Sequence, residues 1–191
     1  MRSGGVPRRM GRSSPLVAVL LFAACTSSSA PGPPQPSLRS EVRPFFRGCG
    51  SAVFGHPNLR NAVSIGPLEL VGARQAARLA PGAFRAHAGR YQAIKVLAVV
   101  RGTDDVTLTV PPSARAALAL LYDPAVRANR SGFRFSAGDP RVTFEACGST
   151  DANYNGGFLA TRPICVSLQV STASMRAEGR VSLGTGPSCQ A

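Results

Sequence analysis

Asp105-Val106-Thr107-Leu108-Thr109-Val110 decides the fold class. Val106, Leu108 and Val110 alternate with Thr107 and Thr109. Successive strand side chains point to opposite faces, so this is a strand with one buried side and one wet side. Immediately upstream, Ala93–Val100 (AIKVLAVV) carries few polar residues and reads as a central strand, joined to the first by the turn Arg101-Gly102-Thr103-Asp104. Further out, Phe133–Ser136, Val142–Cys147, Gly157–Thr161, Cys165–Thr172 and Arg180–Gly184 are each strand-like, and turn residues lie between them. Ala62–Val71 alternates around Gly66-Pro67, which predicts a broken or edge strand. Gly72–Gly82, rich in Ala and Arg, predicts a short helix stopped by Pro81-Gly82. Ser113–Tyr122 reads two ways: a helix capped by Ser113 on propensity, or a strand through Leu118, Leu120 and Tyr122 on context. We take the strand. The expected fold is all-β, an immunoglobulin-like β-sandwich with disulfides and one or two short helices. The chain has no tryptophan, so it lacks the buried Trp of antibody domains.

The N-terminus carries a different signal. Arg2, Arg8, Arg9 and Arg12 precede an apolar run, Pro15–Phe22, which is followed by the small residues Ala23-Ala24 and then Cys25. A positive segment, a short apolar core and a small-residue exit describe an export signal over residues 1–24. The run is too short for a membrane span, which needs roughly 20 residues. Phe22-Ala23-Ala24-Cys25 resembles the lipobox of bacterial lipoproteins, with Phe22 where that family usually has Leu. The resemblance implies that Cys25 becomes a lipidated N-terminus at the extracytoplasmic face of the cell membrane. Arg8-Arg9 also raises twin-arginine export, but Pro7 and Met10-Gly11 depart from that motif. Met10 is a second possible start. Residues 25–39 hold TSSSAPGPPQP and read as a flexible tether. Residues 40–191 are then a single β-sandwich domain.

The chain of 191 residues has a formal charge of +13; four arginines leave with the signal, so about +9 remains. A basic exported domain can face anionic headgroups or an anionic wall polymer. The arginines are scattered without runs or interleaved aromatics, which argues against nucleic acid.

With Cys25 lipidated, Cys49, Cys147, Cys165 and Cys189 remain. An even number in an exported chain favours disulfides. Four cysteines permit three pairings; Cys147–Cys165 would close a hairpin-sized loop and Cys49–Cys189 would join the domain ends. There is no Cys-x-x-Cys spacing and histidine is limited to His56 and His87, so neither a metal site nor a cofactor is expected.

Asn153-Tyr154-Asn155-Gly156-Gly157-Phe158 is the most distinctive stretch of the domain. Asn-Gly chemistry suits a tight hairpin turn. The functional alternative uses Asn153, Tyr154 and Asn155 as a polar, aromatic lip for a sugar or peptide. A hydrolase would need a nucleophile and a base. His56 and His87 are the only imidazoles, both in loop-like settings, and no Gly-x-Ser-x-Gly elbow is present. Asp104-Asp105, Asp123-Pro124 and Asp139-Pro140 sit in turn chemistry. Glu145 is expected on the solvent face of a strand, beside an arginine. Asn129-Arg130-Ser131 matches the glycosylation sequon formally, without weight in a bacterial lipoprotein.

Val142–Cys147, Asn155–Phe158, Pro163–Val166 and Leu183–Cys189 together resemble small exported or lipid-anchored actinomycete proteins over roughly residues 60–191. That resemblance implies a shared disulfide framework and carries over no catalytic residue. The expected role is a non-enzymatic, membrane-anchored binding or interaction domain at the envelope. The alternatives are a small secreted hydrolase using His56 or His87, and an accessory subunit of an envelope complex.

Overall fold

The protein is described by a computed structural model covering residues 44–124, 131–148 and 150–190. Residues 1–43, and with them the signal, Cys25 and the whole tether over 25–39, lie outside the described residues, as does Asn129 of the sequon.

The alternating stretch that opened the sequence forms β7 of a first five-stranded sheet. Its members are β1 (Phe45–Arg47), β7 (Val106–Thr109), β9 (Arg141–Phe144), β12 (Ile164–Ser171) and β13 (Arg176–Leu183), in the order β1-β9-β7-β12-β13. All pairs are antiparallel except β1 with β9, which run parallel with Phe45 opposite Val142. A second sheet has the order β2-β10-β6-β4-β3, from β2 (Val53–Phe54), β3 (Ala62–Ile65), β4 (Leu68–Val71), β6 (Leu97–Val100) and β10 (Ala152–Tyr154). A third, three-stranded sheet has the order β5-β11-β8, from β5 (Ile94–Lys95), β8 (Leu118–Leu121) and β11 (Gly157–Ala160).

The inward side chains of the first two sheets share one core. Val106, Leu108, Val142, Phe144, Leu168 and Val181 come from one side, and Leu68, Leu70, Ala98, Val100, Ala152 and Tyr154 from the other. Burial of that apolar surface is what drives sheet onto sheet. A smaller cluster of Ala119, Leu121 and Leu159 lies on the other side of the third sheet, covered by Tyr91, Phe133, Phe135 and Ala137. The all-β architecture expected from the sequence is therefore present, with one short helix, α1 (Ala73–Ala76). Thirteen strands in three sheets among the described residues exceed the seven to nine of an immunoglobulin domain, and the strand order does not by itself assign the protein to that group.

Several elements depart from expectation for identifiable reasons. Ala62–Val71 is a complete hairpin rather than one broken strand, because Gly66 at φ +56° turns Ile65 directly opposite Leu68. Phe133–Ser136 is no strand. Phe133 makes one isolated bridge to Tyr91, and a short 3₁₀ turn follows over Phe135–Ala137, because this segment serves as an apolar cover. In Ser113–Tyr122 a 3₁₀ turn over Pro112–Ala114 leads into the strand β8.

The largest departure is at Asn155-Gly156, which forms no hairpin turn. β10 and β11 belong to different sheets and do not pair with each other. The chain bends there from one sheet into the next, and Val96 bends its neighbour at the same level, between β5 and β6. The Val96 N–H donates to the Gly156 carbonyl (3.1 Å), so the two strands bend as a pair. Glycine is required by close approach: a Cβ on Gly156 would lie 2.2 Å from the Tyr122 ring, and one on Gly157 2.1 Å from the Ile94 carbonyl oxygen.

The disulfides also correct the expected pairing. They are Cys49–Cys147 and Cys165–Cys189, not Cys147–Cys165 and Cys49–Cys189. Parallel pairing of β1 with β9 brings Cys49 alongside Cys147, and the Glu145 N–H donates to the Arg47 carbonyl just before the bridge (2.9 Å). At the other end Cys165, second in β12, lies opposite Ser182, and the final 3₁₀ turn folds Cys189 back onto it.

Peptide mapping under non-reducing conditions is expected to recover Cys49 with Cys147 and Cys165 with Cys189. Replacing each pair by serine is expected to cost about 4–5 kcal/mol for the first, whose ends are 98 residues apart, and about 3 kcal/mol for the second, at 24 residues, measured by urea unfolding. Gly157→Ala is expected to lower the urea midpoint by the equivalent of roughly 3 kcal/mol, the upper part of the range for overpacking, because its obstacle is backbone.

Candidate functional site

β12 lies inside the first sheet, between β7 and β13, and alternates cleanly. Val166, Leu168 and Val170 are buried, while Cys165, Ser167, Gln169 and Ser171 point outward. The strand register aligns further polar side chains with them. One row across the outer face runs Thr143, Thr107, Ser171, Arg176; the next runs Arg141, Thr109, Gln169, Glu178; beyond it Ser167 faces Arg180. Two adjoining cavities of about 580 and 470 Å³ lie along this face and share Gln169 and Glu178. Together they make a groove along β12, about 20 Å from Cys165 to Ser171 at strand rise. Pro111 and Arg162 border one end, Arg141 and Arg176 the other.

Inside the groove Gln169 Nε2 donates to Glu178 Oε1 (2.9 Å), and the Thr107 and Thr143 hydroxyls are bonded to each other (2.8 Å). Among the described residues that line the two cavities Glu178 is the one acid; Arg176 and Arg180 flank it two residues away on β13, Arg141 stands three strands across the same row, and Arg162 borders the far end. Hydroxyls, an amide and guanidinium groups on a rigid sheet can hydrogen-bond a hydroxyl-rich chain and pair with anionic groups on it.

The residues that the sequence singled out lie elsewhere. Asn153 is buried on the outward side of β10, opposite Val99 and Val53, and its Nδ2 donates to the Gly55 carbonyl (3.0 Å). Tyr154 points the other way into the core; its hydroxyl donates to the Glu145 carbonyl (2.5 Å). Strand alternation thus separates two residues that a loop would have set side by side. Asn155 is exposed, and its carbonyl accepts from Arg47 (3.1 Å). The three do not form a lip.

Tyr154 instead helps to hold a buried cation. Arg47 is 3% exposed; its guanidinium sits 5.4 Å over the Tyr154 ring and donates to the carbonyls of Tyr122, Asn155 and Ser51 and to the Ser51 hydroxyl. Burial lowers the Arg47 pKa from its ordinary value, against the opposing pull of Tyr154, Asp123 and Tyr122. Glu145 also differs from expectation. It lies just beyond β9, and its Oε2 accepts from the Cys49 N–H (2.6 Å) rather than pairing with an arginine. This cluster fastens β1 and the first disulfide to the core.

His56 is exposed in the loop after β2, and His87 is exposed in a turn closed by backbone bonds to Arg90. The structure brings neither to the groove. Asp104 and Asp105 sit in the connection before β7, where the sequence suggests a capping role in the turn, but the bonds they make reach distant segments: Asp105 Oδ1 accepts from the Ala146 N–H (2.9 Å) and Asp104 Oδ2 from the Ser174 hydroxyl (3.1 Å). Comparison with protein-family models, curated proteins and solved structures found no match.

The buried tyrosines give the fold a pH dependence. Burial, reinforced by the Glu145 charge, pushes Tyr154 up to about 12, and burial also raises Tyr122. An unfolded tyrosine ionises near 10, so between about pH 10 and 12 the unfolded chain loses protons that the native one keeps, and stability falls as pH rises. Absorbance titration at 295 nm is expected to leave at least two of the three tyrosines un-ionised at pH 10.5 until urea is added. Full ionisation there in the folded protein would contradict the assignment.

Proposed function

We propose that this chain is an extracytoplasmic, lipid-anchored, non-enzymatic binding module, and that its groove along β12 takes an extended, hydroxyl-rich anionic polymer of the cell envelope. The observation that carries the reading is the groove itself: Arg141, Arg162 and Arg176 line it together with one hydrogen-bonded glutamate, and Arg180 faces Ser167 beside it, over a floor of serine, threonine and glutamine hydroxyls and amides. An open channel about 20 Å long suits a polymer segment better than a compact metabolite. Among the described residues that line the groove Glu178 is the one carboxylate, so that lining supplies no pair of carboxylates for acid–base chemistry. The signal at residues 1–24, Cys25 and the tether place the groove outside the membrane in this reading, and two disulfides suit an oxidising compartment.

Affinity electrophoresis with polygalacturonate and with neutral dextran tests the groove. Polygalacturonate is expected to retard the protein, with retardation that weakens as salt rises, and the double variant Arg141→Ala/Arg176→Ala is expected to bind it at least ten-fold more weakly. Equal retardation by dextran, or an indifferent double variant, would reject the reading. For the anchor, radiolabelled palmitate is expected on the wild-type chain and absent from Cys25→Ser.

A further inference from the structure

A third cavity, about 440 Å³, lies apart from the groove and shares no lining residue with it. It is bounded by α1 and the 3₁₀ turn over Pro81–Phe84 on one side and by β5 on the other. Ala76, Leu79, Ala83 and Ile94 supply apolar surface, and Ala76 and Ile94 belong to the main core, so the cleft opens directly onto packed interior. Its backbone is closely drawn in. Gly72, at φ +95°, enters α1 where a Cβ would stand 3.1 Å from the Lys95 carbonyl. The volume falls in the range of about 300–1,000 Å³ common to small-molecule sites.

The one charged residue that lines this cleft is Lys95, the only lysine of the chain. No carboxylate pairs with Lys95 among the described residues, and none lines the cleft. An apolar cleft whose only charge is an unpaired ammonium is complementary to an anion with an apolar body: the body removes the cleft's hydrocarbon from water, and the head group meets the cation. Neutral apolar molecules would gain the first contribution and forgo the second.

We propose that this cleft is a binding site for a small amphiphilic carboxylate, held by Lys95 at its head and by Ala76, Leu79, Ala83 and Ile94 along its chain. The site is independent of the polymer groove, and either can stand without the other. Octanoate and its neutral isostere octanamide, titrated into the full chain and followed by amide chemical shifts, test it. Octanoate is expected to perturb Gln75, Ala83 and Lys95 saturably, and octanamide to bind at least ten-fold more weakly. Lys95→Gln is expected to abolish the difference between the two. Ala93→Phe, at an exposed residue lining the cleft, is expected to abolish binding of both while leaving the melting temperature unchanged. Equal affinity of the two ligands for the wild type, no effect of Lys95→Gln, no saturable binding at all, or shifts confined to Arg141 and Arg176 would each overturn the proposal.

Discussion

The structure depends on one shared bend. Strands β5–β6 and β10–β11 leave one sheet and enter another at the same level, and the bend survives because each backbone still has its partner there. The Val96 N–H donates to the Gly156 carbonyl, and the Val96 carbonyl accepts from the Tyr122 phenol (2.9 Å). No buried amide or carbonyl of Val96 is left to solvent it cannot reach. The Tyr122 ring occupies the space that Gly156 leaves open, then stacks edge-on against Phe144, 5.0 Å away, which in turn meets Tyr154 at 5.1 Å. A backbone constraint at two glycines therefore sets the position of three aromatic rings at the centre of the core. Through Tyr154 it also sets the seat of Arg47, and so the attachment of the first strand.

What could be read from the sequence followed from local periodicity. Val106–Thr109 and the strand after Cys165 declare themselves by strict alternation, because period 2 needs no knowledge of the partner strand. The bend is not legible locally, because Asn155-Gly156 carries the same residue types that a hairpin turn needs; what decides between them is the Tyr122 ring, distant in sequence. The disulfide pairing is hidden for a similar reason. Which cysteines meet depends on the parallel pairing of Phe45–Arg47 with Val142–Phe144, a long-range choice without a local signature.

The groove leaves a trace in the sequence. Ser167, Gln169 and Ser171 alternate with apolar residues, as do Arg176, Glu178 and Arg180 with smaller ones, so two polar ladders stood in the sequence. Only register shows that they are neighbours and that Arg141 joins them. The distinctive Asn153-Tyr154-Asn155 drew attention to itself by composition, yet its rarity reflects the demands of a bend rather than of a ligand.

The two disulfides have a mechanical consequence. A pull between the two ends of the described chain passes from Cys49 across sulfur to Cys147, and from Cys165 across sulfur to Cys189. The 98-residue span inside the first bridge, roughly 340 Å of contour when stretched, carries no tension, and neither does the 24-residue span inside the second. Between the bridges only the segment from Cys147 to Cys165 bears load, about 60 Å at full stretch. β2 through β9 sit inside the first covalently shunted loop, and β13 with β12 from Cys165 onward sits inside the second. Of the strands that build the groove, β7 and β9 lie inside the first bridged loop and β12 and β13 inside the second, so a force that stretched the backbone between the bridges would spare the register within each pair and fall on the one seam that joins them, β7 against β12.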